Sequence, residues 1–349
     1  MSIPRIATIT AEPFQTPLHS PFVTSQGYAT EAQGVMVTLT LEDGRSVQGE
    51  SVPVTYVTGE TRDSVMETVS TVRPHLIGMD VRRWRQTLNS IAQNAPDKPS
   101  ARCGLEMAVL EAWALATGGT LWHLFGGAQT SIESDITIPI VANASELTEI
   151  AWAMGIHVFK IKVGEKDLEA DHARVRAVRE AAPEAKLRID ANQAFTPDSA
   201  VAFVERLLAE GANVEMLEQP VQAGDFAGLA EVARRSPVPV FADESCRTPH
   251  DALRLAQTEV HGFNLKINKS GIGAVLDIIA IARAAGKKTM LGCMLETRHS
   301  IAVSLALACG TGGFDFIDLD SHLLLNEEGV NPHFEQIGGA MTLPCAASL

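Results

Sequence analysis

Several short apolar runs in the second half of the chain end on, or close to, a charged residue: Lys160 and Lys162, then Asp190, Glu218, Asp243 and Lys266. Buried parallel strands read as continuous apolar runs, and a charge there is costly unless it is used. The signs run cation, anion, anion, anion, cation. Three adjacent carboxylates repel one another and raise at least one pKa unless a cation sits among them. Oxygen ligands without His or Cys favour Mg2+ over Zn2+, and three carboxylates leave octahedral positions open for substrate oxygens and water. A lysine near the divalent ion and beside another lysine is expected to have its pKa lowered toward neutrality, as a general base requires. The chemistry implied is proton abstraction next to a carboxylate, with Mg2+ stabilising the enediolate. Two opposed lysines allow a 1,1-proton transfer, in which one takes the α-proton and the other returns a proton to the opposite face.

The elements that must position these residues follow from periodicity. Eight β-rich runs recur from about residue 135: Ile136–Val141, Val158–Val163, Lys186–Ile189, Val214–Leu217, Val238–Phe241, Gly262–Ile267, Lys288–Gly292 and Phe314–Leu319. Amphipathic helices lie between them, such as the one capped by Thr196 with Pro197 in its first turn. Eight β-then-α repeats argue for a closed parallel barrel, with a long doubly wound sheet as the alternative. In a barrel, the strand ends converge on one mouth. The first part of the chain is mixed. Residues 5–12, 34–41 and 46–53 are strand-like, Arg62–Val72 is helical and stopped by Pro74, and 94–100 is a loop. An apolar helix then runs from Ala101 to Gly118-Gly119.

The 349 residues suffice for two domains, 46% are apolar and 20% charged, as in a globular protein. The net charge of 28 − 42 = −14 argues against nucleic acid or an anionic lipid surface as partner. No signal-peptide core is present at the start. The longest apolar stretch, Ile301–Cys309, is interrupted by Ser304 and is too short to cross a bilayer. The five cysteines, Cys103, Cys246, Cys293, Cys309 and Cys345, form no C-x-x-C and read as reduced thiols, so a cytoplasmic location is expected.

These motifs together resemble the muconate-lactonizing subgroup of the enolase superfamily. Phe159-Lys-Ile-Lys-Val-Gly164 resembles its K-x-K motif. Asp190-Ala-Asn192, Glu218-Gln-Pro220 and Asp243-Glu-Ser245 resemble its three metal-ligand motifs, and Lys266-Ile-Asn-Lys-Ser-Gly271 its second-lysine motif. Leu121-Trp-His-Leu-Phe-Gly-Gly127, with the helix before it, resembles the family's junction between cap and barrel. The resemblance implies an α/β fold: a (β/α)7β modified TIM barrel over residues 126–322, an N-terminal α+β capping domain over 1–125, and a tail, 323–349, that returns to the cap. It implies Lys162 and Lys266 as catalytic residues and Asp190, Glu218 and Asp243 as Mg2+ ligands.

Within the subgroup, Phe316-Ile-Asp318-Leu-Asp320 resembles the D-x-D motif of dipeptide epimerases, whose carboxylates hold the free ammonium of the dipeptide. Residues two apart in a strand share a face, so both can address one cation. The reading is a dipeptide epimerase acting on the C-terminal residue of L-Ala-L-Xxx-like substrates. The alternatives are an N-acylamino acid racemase or o-succinylbenzoate synthase, and, more remotely, a sugar-acid dehydratase or a non-catalytic barrel. The resemblance places Ser134 near the substrate carboxylate, lets Lys160 tune Lys162, and puts Cys293 and Leu295 in the side-chain pocket. The segment His19–Ser25 carries no Arg or Lys, where relatives that take Glu offer a cation. A neutral or apolar side chain is therefore expected, although Arg298 keeps an anionic one open. Glu296 reads equally as functional or structural, and His19 and His123 read as ordinary surface or packing residues. A small-molecule dipeptide is the expected partner, and a homo-oligomer is compatible with the sequence.

Overall fold

The computed structural model describes residues 3–327 and 334–344. The first body is a three-stranded antiparallel sheet with helices on one face. Strands β1 (Ile6–Thr24) and β2 (Gly27–Leu41) form a long hairpin, and β3 (Ser46–Ser51) pairs with β2. Alternation at Val35, Val37, Leu39 and Leu41 buries one face of β2. Helices 62–76 and 99–117 cover it, and helix 84–94 packs against both. Helix 99–117 approaches so closely that a Cβ on Gly49 would lie 2.0 Å from the Gly104 carbonyl oxygen.

The structure departs from these expectations in four places. The hairpin continues through residues 13–33, where no strand is expected. Pro13, Pro17 and Pro21 and a mostly exposed burial pattern mask it, because this part is a two-stranded ribbon with free edges. Helix 62–76 carries Pro74 inside its last turn, where a missing N–H forfeits a single bond. Helix 84–94 has no counterpart in the sequence reading, and helix 99–117 starts earlier than expected, with Pro99 in its first turn.

The second body is the eight-stranded parallel barrel. After the short strand β4 (Ser131–Glu133) come β5 (Ile136–Ile138), β6 (Val158–Lys162), β7 (Lys186–Asp190), β8 (Val214–Glu218), β9 (Val240–Ala242), β10 (Gly262–Leu265), β11 (Lys288–Gly292) and β12 (Phe316–Asp318). Each pairs with the next in chain order. A layer of Met216, Phe241, Met290 and Phe316 packs together inside, and Arg188 stacks on the Phe316 ring at 4.8 Å.

The seam between β12 and β5 is closed largely by side chains. Asp135 N donates to Ile317 O at 3.3 Å, Leu319 N to Ser134 Oγ at 2.8 Å, and Thr137 N to the Asp320 carboxylate at 2.6 Å. Beyond the barrel, Leu325 and Asn326 touch β1, while β13 (Glu335–Ile337) pairs with β14 (Ala340–Thr342), which pairs in turn with β4. Among the described residues no helix is long and apolar enough to cross a membrane. Cys103, Cys246, Cys293 and Cys309 are free thiols; Cys345 lies outside the described residues.

Because Ser134 Oγ is the acceptor for Leu319 N, Ser134→Ala leaves a buried N–H unpaired. It should cost about 1–2 kcal/mol of unfolding free energy, measured by urea denaturation.

Candidate active site

Alternation along β6 turns Lys160 and Lys162 to the same, inner face. Asp190 ends β7, Glu218 ends β8, Asp243 and Lys266 follow β9 and β10, and Asp318 ends β12. All seven are buried. Lys160 Nζ lies 3.1 Å from Asp190, 3.0 Å from Glu218 and 2.7 Å from Asp318. Lys162 Nζ reaches Asp190 at 2.6 Å, and Lys266 Nζ reaches Asp243 at 2.8 Å.

Further residues fix this set. Lys269 is fully buried and donates to the Asp243 carboxylate, to Asp243 O at 2.7 Å and to Asn264 O at 2.8 Å. Asn264 donates to Glu218 at 2.7 Å. Gln219 uses its side-chain oxygen to accept from Asp243 N and Ser245 N at 2.9 and 3.0 Å. Asn192, Gln193 and Gln219 adopt positive φ (40°, 73° and 34°) directly after the carboxylate-bearing strands. Such strain in non-glycine residues persists only where its surroundings hold it. Nothing in periodicity flags Lys269, Asn264 or Gln219; Lys269 and Gln219 lie inside the quoted motifs, and Asn264 lies just before one.

The electrostatics are those of a dry, crowded cluster. Burial alone would raise Asp190, but Lys162, Lys160 and Lys266 hold it well below the usual carboxylate range. Glu218 is raised by burial and by the charge of Asp190. Lys266 is subject to the same competition. Burial pulls it down, but Asp243, with Glu218 and Asp318 behind it, raises it above the ordinary lysine value. The facing carboxylates outweigh the neighbouring ammonium of Lys160.

A second acidic group faces the first. The carboxylates of Asp135, Asp318 and Asp320 offer oxygens all within 4.8 Å of one another. Asp135 is held by Arg188 at 2.7 Å, and Asp318 Oδ1 is buried without a hydrogen-bond partner. Burial and Asp318 push Asp320 up to about 6. Asp135 and Arg188 are absent from the sequence reading, because one precedes its strand and the other lies mid-strand.

These groups meet in one cavity of about 560 Å3, roofed by the hairpin and walled by the cap. Lys160, Lys162, Asp243, Lys266, Cys293, Leu295, Asp318 and Asp320 line it, and Asp190 and Glu218 are bound to its lysines. Ser134 does not line it. The residue is 1% exposed and its hydroxyl is committed to the seam, so it is placed behind the strand rather than in the cavity. His19 and His123 are exposed. Arg298 is also outside the lining, with its guanidinium over the Phe334 ring at 5.6 Å.

The all-oxygen donor set suits a hard divalent cation. Asn192 Oδ1 and Glu244 Oε2, on neighbouring strand-end loops, are buried oxygens that take part in no hydrogen bond, and Glu218 Oε2 meets the Lys160 ammonium at 3.0 Å. Asp190, Glu218 and Asp243 could therefore hold such an ion. The Asp135–Asp318–Asp320 group is tighter, but Arg188, Lys160 and Thr137 N already supply it with donors.

Residues 5–126 match the model of the mandelate racemase/muconate lactonizing enzyme N-terminal domain, and residues 143–347 that of the enolase C-terminal domain-like family. The chain is 38% identical over 341 residues to an aromatic dipeptide epimerase of Herpetosiphon aurantiacus, covering 97% of this chain and 96% of that one. It is 36% identical to an L-Ala-D/L-Glu epimerase of Thermotoga maritima, covering 92% and 93%. A dipeptide epimerase of Enterococcus faecalis, crystallised with Mg and L-Leu-L-Tyr, superposes with a TM-score of 0.92 at 30% identity, covering 97% of each chain.

Lys160→Met would strip three buried carboxylates of their shared cation. Urea denaturation at pH 7 in chelator should show a loss of about 3–5 kcal/mol.

Proposed function

We propose that this chain, which belongs to the mandelate racemase/muconate lactonizing enzyme family, is an isomerase that inverts the α-carbon of the C-terminal residue of a dipeptide. The observation that carries this reading is the pairing of two opposite polar ends in one cavity. Asp318 and Asp320 present negative charge in excess of what Lys160 supplies, which suits an ammonium. The lysine and carboxylate set lies beside them in the same cavity. A free dipeptide carries an ammonium and a carboxylate and can satisfy both ends. An N-acylated amino acid would leave the aspartate pair uncompensated. The dipeptide epimerase names of the relatives support the same reading.

Asp190, Glu218 and Asp243 would hold Mg2+, and the ion when bound would neutralise these carboxylates and draw charge from the substrate carboxylate, acidifying the α-proton. Lys162 on β6 and Lys266 after β10 stand four strands apart in an eight-strand order, on opposite sides of the mouth. One removes the α-proton, and the other delivers a proton to the opposite face. Lys160 bridges Asp190, Glu218 and Asp318 and so ties the ammonium end to the reacting end. Asn264 and Lys269 fix Glu218 and Asp243 by the contacts described above.

The side chain of the inverted residue is neutral or apolar in this reading. Phe22, Val54, Met294 and Leu295 line the cavity, and among the described residues no arginine does. Its three lysines are all engaged by carboxylates. A glutamate side chain would find no spare cation there, and Arg298 lies outside.

In deuterium oxide with Mg2+, L-Ala-L-Phe should gain deuterium at the phenylalanine α-carbon, read by mass spectrometry. Exchange of N-acetylphenylalanine but not of the dipeptide would refute the assignment. Lys162→Ala and Lys266→Ala should each abolish epimerisation, and retained near-native rates in either would refute the two-base account. Asp320→Asn should raise KM for the dipeptide by tenfold or more. Asp320 loses its charge as pH falls through about 6, so the native KM should climb below that pH. A KM flat from pH 5 to 8 would remove Asp320 from ammonium binding.

A further inference from the structure

The fully buried Glu296 has no part in the reaction described above. It follows Cys293, Met294 and Leu295, the cavity wall supplied by the loop after β11. Its carboxylate accepts from Met294 N at 2.9 Å and from the Ser300 hydroxyl. Its backbone makes a reciprocal clasp with Ser321, the residue after Asp320. Glu296 N donates to Ser321 Oγ at 3.1 Å, and Ser321 Oγ donates to Glu296 O at 2.7 Å.

The same network reaches the cap. Asn268 Nδ2 lies 3.4 Å from Ser300 Oγ, and Asn268 Oδ1 accepts at 2.7 Å from the backbone N–H of Val52, a cap residue in the cavity wall. On the other side of the loop, Thr297 gives its N–H and its hydroxyl to Glu50 of β3. No lysine, arginine or histidine forms an ion pair with Glu296 among the described residues, so its contacts are those of a hydrogen-bond acceptor.

We propose that Glu296 is a positioning residue that sets two substrate subsites together: the apolar wall at Met294 and Leu295, by anchoring the Met294 N–H, and the ammonium-binding Asp320, through the clasp with Ser321. The inference rests on the dipeptide reading of the cavity and adds a specificity determinant to it. A tight turn that presents two apolar side chains has few anchors of its own, and a buried acceptor on its N–H removes most of its freedom. Because one anchor serves both subsites, the apolar wall and the acidic pair keep a constant separation, which selects a dipeptide of matching length.

The test compares Glu296→Ala, Glu296→Gln and Ser321→Ala with the native enzyme, using L-Ala-L-Phe and Mg2+. Each variant is assayed for KM and kcat by deuterium exchange and for thermal unfolding. Glu296→Ala should raise KM about tenfold or more, with kcat within about threefold of native. Glu296→Gln keeps an acceptor for Met294 N and should recover most of that loss. Ser321→Ala breaks only the clasp, should raise KM less, and carries the test if Glu296→Ala does not fold. The inference is overturned if KM is unchanged in Glu296→Ala and Ser321→Ala, if kcat falls while KM holds, or if the Gln variant is as impaired as the Ala variant. Native enzyme that does not exchange the dipeptide at all would overturn the dipeptide reading and this inference with it. Native turnover with variants of unaltered KM overturns this inference alone.

Discussion

The structure depends above all on charge compensation in a place without water. Taking a carboxylate or an ammonium out of solvent costs several kcal/mol, and the cost is recovered only where opposite charges and hydrogen bonds meet it in good geometry. The barrel mouth concentrates Lys160, Lys162, Lys266 and Lys269 among Asp190, Glu218, Asp243 and Asp318, all of them buried. No member can move far without leaving a partner exposed to a dry medium. This explains why the loops after the strands are so heavily tied, by Gln219 to Asp243 N and Ser245 N and by Asn264 to Glu218. It also explains why left-handed conformations at Asn192 and Gln219 are tolerated. The arrangement of charges fixes the loops, and the barrel fixes the arrangement.

The cap is seated by the same device in a different form. Glu106, on the cap helix 99–117, accepts from Gly273 N at the start of barrel helix 272–284. Glu50, on β3, accepts from Thr297 N at the start of helix 298–311. Both carboxylates meet helix N-termini, where unpaired N–H groups and the helix dipole favour an anion. Burial pushes Glu50 up to about 8, so it is an acceptor that need not carry full charge. The hairpin that roofs the cavity belongs to the body held by these contacts, so its height above the lysines is set far from its own tip.

What was legible in the sequence was what violated a local rule. A charge that ends an apolar run stands out, so Lys162, Asp190, Glu218, Asp243 and Lys266 could be read directly from five runs, and the recurrence of eight β-rich runs implied the barrel that the strand order displays. Residues that obey local rules were silent. Lys269 sits in a short helical turn and Arg188 mid-strand, and each looks like an ordinary charge until the fold wraps it inward. Ser134 was misplaced because a hydroxyl beside a strand can face the cavity or the seam, and the β5–β12 seam lacks the ladder that would otherwise satisfy Leu319 N. The hairpin ribbon was missed because its partner surface is the barrel mouth rather than a core, so it carries no clean period.

The tip of that hairpin has an uneven grip. Along its stem, the first body packs a continuous apolar face. At the end, Ser25 Oγ and the Gln26 side chain both donate to a single carbonyl, Asn192 O, at 3.0 and 2.8 Å, and Ile140 N donates to Val23 O at 3.0 Å. Those few polar contacts are small beside the stem's burial. The tip thus meets the barrel at the loop that follows Asp190, whose carboxylate accepts from Asn192 N at 3.0 Å. The roof of the cavity and the charged set beneath it are in this way joined through the backbone of a single residue.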